Sequence, residues 1–546
     1  MTVFSKLFSY IGSIAWQPIT MFGFLDAHPY GGVLSAISTI IFCMAAFYFL
    51  RWFTGETKIE IKDKNHSWKS IKITSKAWYC SICEELLLHG FGVYCDCCGV
   101  CADAECLKKA NQTLLCKIMT SKTDSLPHHW VKGNLPLGAC CDVCHEECAL
   151  EPGLVDFRCC WCNRNVHEEC LPDRQTLCDF GPFRNLIVPP WCIQVVRRKG
   201  SLHKHLLLKG VKHPGWANWS PLVVVANRKS GNNDGEMVLS EFRRYLNPAQ
   251  VMDLSERPPA VILQWSILIA PQPVKMMVAG GDGTVAWILS AAQKLDLDPD
   301  PAVGIIPLGT GNDLSRVLGW GSEHSSDLDL HSVLELVQRA KTGLLDRWSV
   351  EILTHRQLSH LGIRMSKTDI YMYNYISIGV DAQVTLDFHR ARSSRFYPFG
   401  SRFFNKMLYL GFGTQQVVAA DCKNLEQRLN LYLDGVQVDL PELESIVILN
   451  IASWGAGVNL WGEGTNAPSQ SHCDGVLEVI GVYSSFHIAQ LQVGLSKPHR
   501  IGQAKRIDIH LHKSAPMQVD GEPWDQQPAH VKISFVNKAT VLLNPI

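Results

Sequence analysis

The sequence predicts a multidomain protein of the α/β plus β class, and three observations carry that prediction. Its 546 residues exceed what one hydrophobic core usually organises. Three times between residues 222 and 314 a short apolar run ends in a polar, glycine-containing turn and leads into the next segment, the grammar of a three-layer α/β lobe with a parallel sheet. Beyond residue 350, apolar or alternating runs separated by turn residues predict a β-rich second lobe.

The first of these runs, 222–226, feeds Asn227-Arg228-Lys229-Ser230-Gly231. The second, 275–279, feeds Gly280-Gly281-Asp282-Gly283-Thr284 and a helical stretch at 285–294. The third, 303–307, feeds Gly309-Thr310-Gly311-Asn312-Asp313 and a helix from Leu314. Phosphate binding is the natural use of such turns, because glycines let backbone N–H groups approach phosphate oxygens and a helix N-terminus adds its positive dipole end. Neither a Gly-x-Gly-x-x-Gly dinucleotide fingerprint nor a Gly-x4-Gly-Lys-Ser/Thr loop is present, which removes two common alternatives. In the second half, strands are predicted at 371–380, 446–453, 476–483, 506–511, 530–535 and 539–543. The active site is expected between the lobes.

Lys plus Arg and Asp plus Glu both number 51, so no global field draws the chain toward nucleic acid. Residues 31–50 carry no charge and match the length of a bilayer-spanning helix, with a buried core helix or a re-entrant hairpin as the other reading. Positive charge after the run (Arg51, Lys58, Lys62, Lys64) exceeds that before it (Lys6), which predicts a cytosolic body on an intracellular membrane.

Of the 21 cysteines, 17 lie between Cys80 and Cys178. In a reducing compartment such a block points to metal and not to disulfides. His128, Cys141, Cys144, Cys159, Cys162, His167, Cys170 and Cys178 supply nitrogen and sulfur donors for two closed tetrahedral zinc sites. A first copy aligns as His66, Cys80, Cys83, Cys95, Cys98, Asp103, Cys106 and Cys116. This pattern strongly resembles the C1 (diacylglycerol/phorbol-ester type) zinc finger. The resemblance implies interleaved ligands: His128, Cys159, Cys162 and Cys178 for one Zn²⁺, and Cys141, Cys144, His167 and Cys170 for the other. In the first copy Asp103 stands where the family has histidine; either its carboxylate ligates zinc or Cys97 or Cys101 completes the site. The family's Gln-Gly pair before the third cysteine is replaced by Phe91-Gly92 and Asp156-Phe157. The modules are therefore read first as structural zinc folds and only second as lipid sensors.

The Gly280–Thr284 loop followed by Pro307-Leu308-Gly309-Thr310-Gly311-Asn312-Asp313 resembles the diacylglycerol kinase catalytic domain, and segments around Asp381, Asp474 and Asp520 resemble its second lobe. That resemblance implies a first lobe of the NAD kinase and phosphofructokinase type, ATP and Mg²⁺ as cofactors, structural Zn²⁺, and diacylglycerol in a bilayer as the substrate. It implies phosphate or nucleotide binding by Asn227, Ser230, Gly231, Gly280, Gly281, Gly283, Thr284, Gly309, Thr310, Gly311 and Asn312. Asp282 is the foremost catalytic candidate, acting through Mg²⁺ or directly as a base; Asp474 is the second-lobe candidate, with Asp381 and Asp520 behind it. For these three the alternative is a turn-stabilising aspartate, and Asp313 reads as the cap of the helix that follows it. The implied layout is an apolar segment (1–30), a membrane helix (31–51), zinc modules (66–116 and 128–178), a basic linker (179–215), a catalytic domain (216–350) and an accessory domain (351–546). A membrane segment, two such modules and no further additions resemble the family's epsilon type, which implies arachidonoyl-containing diacylglycerol at the endoplasmic reticulum or plasma membrane. A sphingosine- or ceramide-type lipid kinase and an inactive zinc-module scaffold are the alternatives.

Overall fold

The computed structural model describes residues 66–71, 77–87, 92–197, 206–228, 230, 234–323, 329–358, 362–393, 422–462 and 468–545. The predicted membrane helix at 31–51 and Gly231 lie outside them. Among the described residues no helix is long and apolar enough to cross a membrane.

The first lobe is built as the sequence pattern requires. Strands β1 (Leu222–Ala226), β2 (Val251–Asp253), β3 (Lys275–Gly280) and β4 (Ala302–Pro307) lie in the order β2-β1-β3-β4, all parallel. β1, β2 and β4 are buried throughout and β3 in all but Lys275, which is why they read as continuous apolar runs. Helix α1 (Asp234–Tyr245) connects β1 to β2, α2 (Asp282–Leu295) connects β3 to β4, and a short α3 (Asp313–Val317) follows β4. The chain leaves β1 toward β2 and then returns to the other side of β1 as β3. That reversal makes a topological switch point, where the ends of β1 and β3 leave a crevice.

After α4 (Leu330–Arg339) come β5 (Lys341–Leu358), β6 (Gly362–Met372) and β7 (Tyr375–Gly379), then helix α5 (Val380–Ser393). The remaining elements are β8 (Leu429–Leu433), β9 (Val436–Val438), β10 (Ser445–Leu449), β11 (Leu477–Val482), α6 (Ser485–Gln492), β12 (His499–Ala504), β13 (Arg506–Leu511), β14 (Ala515–Val519), β15 (Glu522–Gln526) and β16 (Ala529–Leu543). The sheet of the first lobe continues into the second as β4-β16-β13-β8-β9, with β5 paired antiparallel to both β16 and β6. A six-stranded antiparallel sheet, β12-β11-β10-β7-β14-β15, packs across it over a core that includes Trp348, Ile376, Leu431, Ile446 and Val531.

The structure differs from the predicted strands at two places. The run 371–380 is broken at Tyr373 and Asn374, because the Asp520 carboxylate captures the backbone N–H groups of Tyr373, Asn374 and Tyr375 and turns the chain. The runs 530–535 and 539–543 are one strand, β16, which carries Val536 as an extra, bulged residue opposite the Arg347/Trp348 step of β5.

Both cysteine-rich segments form small three-stranded sheets, 68–70, 92–95 and 101–103 in the first, 130–132, 157–159 and 165–166 in the second. They are not separate beads. One apolar cluster runs from Trp68, Val93 and Trp161 through Phe180 and Phe183 to Val238 and Phe242 of α1. Residues 180, 183, 186–188, 192 and 193, inside the stretch read as a basic linker, are buried as well. Gln250 donates to Leu186 O and Asn247 to Val188 O, which straps this segment to the first lobe.

Candidate active site and metal centres

The turn after β3 and the turn after β4 cross at their glycines. A Cβ on Gly309 would meet Gly281 Cα at 2.6 Å, so only glycine permits the approach. Asn312, with φ +52°, fixes the second turn from within: its Oδ1 accepts from Gly309 N at 2.9 Å and its Nδ2 donates to Gly309 O and Ser322 O. Both functions of that side chain are thus used by its own loop. Thr310 and Gly311 remain at the surface of the cleft.

Asp282 opens α2, and its carboxylate receives the N–H groups of Asp313 (3.1 Å) and Leu314 (3.0 Å). The cap of α3 therefore comes from Asp282 and not from Asp313. Asp313 instead reaches the second lobe: it accepts from Ser453 Oγ (2.5 Å), Ala456 N (3.1 Å), Gly457 N (3.0 Å) and Tyr375 Oη (3.2 Å). Four donors on one buried carboxylate bind the lobes together across the site.

Asp520, with φ +49°, is buried on the other side of the same cleft. Burial, with the charge of Asp313 nearby, pushes the Asp282 carboxyl up to about 6, against the backbone donors and the Asn374 side chain that hydrogen-bond it. Burial likewise pushes Asp520 up to about 7, its three backbone donors opposing and the Asp282 charge adding. The cleft between the lobes has a volume of about 390 Å³, and Asp282, Asp313, Asp520 and Glu522 all line it. Among its described lining residues there is no Lys or Arg.

The other predicted residues fall as follows. Gly280 is buried beneath Thr284, whose side chain would meet a Cβ there at 2.7 Å; Gly281 and Gly283 line the cleft, and Glu522 Oε1 stands 3.0 Å from where a Gly283 Cβ would be. Asn227 and Ser230 lie at the end of β1, where Ser230 N donates to Asn227 O. They do not line the cleft itself. Asp381 is buried at the start of α5 and receives the Ser377 hydroxyl, which in turn is held by Gln518 Nε2. Asp474 is exposed; its Oδ1 accepts from Val476 N at 3.0 Å, an Asx turn outside the cleft lining. The structure does not bring it to Asp282. Sequence reasoning missed the latch role of Asp313 and the contributions of Asn374, Tyr375 and His389, none of which lies in a glycine turn.

Four donor clusters assemble in the zinc modules: His66, Cys95, Cys98, Cys116; Cys80, Cys83, Asp103, Cys106; His128, Cys159, Cys162, Cys178; and Cys141, Cys144, His167, Cys170. These are the interleaved sets implied by the C1 resemblance, with Asp103 in the position that His167 holds in the second module. His128 Nδ1 lies 3.5 Å from Cys162 Sγ, His167 Nδ1 3.2 Å from Cys144 Sγ, and Cys95 Sγ 3.7 Å from Cys116 Sγ. A tetrahedron with Zn–S bonds near 2.3 Å has edges of about 3.8 Å, so the donor sets fit zinc. The far ring nitrogens of His66 and His167 reach Leu114 O (3.1 Å) and Glu147 O (3.2 Å), which leaves Nδ1 free for metal. Among the described cysteines there is no disulfide.

The sequence matches the diacylglycerol kinase catalytic domain over residues 221–344, the diacylglycerol kinase accessory domain over 371–523 and the phorbol esters/diacylglycerol binding (C1) domain over 128–181. It is 32% identical over 523 residues to Probable diacylglycerol kinase 3 of Caenorhabditis elegans, covering 88% of this chain and 64% of that one. It is 40% identical over 324 residues to diacylglycerol kinase theta of Rattus norvegicus, covering 58% of this chain and 34% of that one. The chain thus spans less than two thirds of the length of either relative. A crystal structure of a diacylglycerol kinase from Bacillus anthracis str. Sterne is similar at 16% identity and a TM-score of 0.37, covering 59% of this chain and 97% of that one. With a C1 domain, a catalytic domain and its accessory domain on one chain, the protein belongs to the diacylglycerol kinase family.

Proposed function

We propose that the protein is an ATP-dependent diacylglycerol kinase, transferring the γ-phosphoryl group of ATP to the free hydroxyl of 1,2-diacylglycerol to give phosphatidic acid. The observation that carries this reading is the crossing of two glycine turns at the C-terminal ends of β3 and β4, with Asp282 between them and facing the interlobe cleft. The turns at 281–283 and 310–311 offer backbone N–H groups to phosphate oxygens, reinforced by the N-terminus of α2. In the transfer the lipid oxygen bonds to phosphorus as the bond to ADP breaks, and the hydroxyl proton must leave. Asp282, with its carboxyl near 6, is ionised for much of the time at neutral pH and serves either as acceptor of that proton or as a ligand of Mg²⁺. Four carboxylates on the cleft lining suit the all-oxygen donor set of Mg²⁺, with Asp282 and Asp520 as holders. When bound, that ion would neutralise the charge of the phosphates.

The epsilon-type reading belongs here as well. It is supported by two zinc-ligand modules ahead of one catalytic unit and by the uncharged run at 31–50. On that reading the chain acts on arachidonoyl-containing diacylglycerol at the endoplasmic reticulum or plasma membrane with its body in the cytosol, and the modules hold the enzyme together. Purified full chain supplied with Mg²⁺, ATP and defined lipids tests the proposal. Phosphatidic acid formed by the wild type and at least a hundredfold less by Asp282→Ala is expected. Equal rates for the two, or preferential phosphorylation of sphingosine or ceramide, would overturn it.

A further inference from the structure

The cleft is rimmed by α5, through Thr385 and His389, and by the end of α6, through Gln492 and Val493. The underside of α6 is anchored by the buried His487, Ile488 and Leu491, and Ser484 caps its N-terminus through His487 N. Its outer side is unusual. Phe486 is 64% exposed, Val493 61% and Leu495 78%. Phe486 and Val493 are seven residues apart, two helical turns, and so share one face about 10 Å long.

The helix closes with a paired turn. Leu495 N donates to Gln490 O at 2.8 Å and Gly494 N to Leu491 O at 3.2 Å, with Gly494 at φ +73°. In this kind of terminus an apolar residue at the position of Leu495 commonly folds back on the last turn. Here it stands out into solvent, held in place by its backbone. From residue 483 to 500 there is no Asp or Glu, and Lys497 and Arg500 are exposed just beyond the apolar residues.

We propose that α6 and its closing turn form a bilayer-docking edge of the enzyme. Phe486, Val493 and Leu495 enter the boundary between headgroups and acyl chains, while Lys497 and Arg500 meet anionic headgroups. Because Val493 belongs both to this edge and to the cleft wall, docking sets the mouth of the cleft against the surface that delivers the lipid substrate. The inference rests on the lipid-kinase reading and adds how that substrate reaches the site.

The test uses the full chain carrying Phe486→Glu with Leu495→Glu, neither of which lines the cleft. Activity is compared on phosphatidylcholine vesicles containing 20 mol% phosphatidylserine with diacylglycerol, and on a short-chain diacylglycerol below its aggregation concentration. On vesicles the apparent KM, as mole fraction of diacylglycerol, is expected to rise at least tenfold. On the monomeric lipid the rate is expected within twofold of wild type, and the pair Phe486→Trp with Leu495→Trp should keep vesicle activity. Wild-type behaviour of the Glu pair on vesicles, or equal losses on both lipids, overturns the docking edge. So does a shift of the Glu pair to a smaller oligomer by light scattering with vesicle activity intact, which would assign the face to a second copy. A wild type that phosphorylates neither lipid would instead overturn the kinase reading beneath it.

Discussion

The side chain of Asp282 caps the helix that begins at Asp313, while the side chain of Asp313 turns away to hold the opposite lobe. The two carboxylates thus divide the work: one joins the two phosphate turns, the other joins the lobes that flank them. Asp313→Ala strands three donors of the 453–457 loop and Tyr375. A loss of about 3 kcal/mol in unfolding free energy is expected, with a fall in kcat, since a buried charged acceptor is removed from its partners. Tyr375→Phe removes one neutral donor and should cost about 1 kcal/mol. Denaturant unfolding of both variants checks the ratio.

Gly309→Ala forces a methyl group into Gly281 Cα at 2.6 Å. The turns must separate, at a cost of about 1–3 kcal/mol. Because both turns are proposed to hold the phosphates, the KM for ATP is expected to rise by more than tenfold while the melting temperature falls by only a few degrees. A kinetic and calorimetric comparison with Gly321→Ala, whose added methyl has no neighbour within 4 Å, separates loop geometry from general strain.

Glu478, buried on β11, receives Gln503 Nε2 at 3.0 Å and Gln470 Nε2 at 2.9 Å, and burial pushes its carboxyl up to about 7 from 4.5. Its folded value exceeds its unfolded one, so between those limits the folded state holds a proton that the unfolded state has released. The contribution is fully present below pH 4.5 and is lost as pH rises through 7. Melting temperature should therefore decline across that window in wild type and decline less in Glu478→Gln, with the variant gaining relative to wild type at pH 8.

Much of the fold was legible because β1, β3 and β4 are covered on both faces and read as plain apolar runs. β5 was not, since Asp346, Arg347 and Glu351 interrupt it; the structure buries the first two beside the bulge of β16. Asp282 was legible from its glycine neighbours, and the zinc ligands from their spacing. Asp313 was not: an aspartate opening a helix looks like a cap, whereas its partners, up to about 140 residues downstream, are set by tertiary packing. Asp474 forms the local turn that the sequence offered as its other reading.

Zinc removal should reach the catalytic lobe. The modules share a core with α1, and Asp96 of the first accepts from Arg243 Nη1 at 2.9 Å and Ser240 Oγ at 3.2 Å. Chelation is expected to release four metal ions per chain and abolish activity together with near-ultraviolet dichroism. Cys159→Ser should mimic this in part, whereas Cys140→Ser, at an exposed thiol outside the clusters, should stay within 0.5 kcal/mol of wild type, about the surface-substitution range.

Lys117 makes the same junction testable without touching metal. Its buried ammonium donates to Arg243 O, Arg244 O and Leu246 O at the C-terminal end of α1, and lies 4.5 Å from the Trp161 ring centre. Lys117→Met retains the apolar stem and loses the donors, with an expected cost of about 3 kcal/mol. Unfolding followed by zinc release and by activity should show both transitions moving together.

β5 and β16 each run through both lobes, zipped to one another from Lys341 to Thr354. A clamshell that opens about a flexible seam would have to tear that ladder at its middle, where Trp348 and Arg347 are fully enclosed. The two sides of the cleft are accordingly built on strands they share, and parting them as jaws would break main-chain hydrogen bonds. In the proposed reaction, exclusion of bulk water then falls to what is brought to the gap from outside, the nucleotide on one flank and the lipid surface on the other.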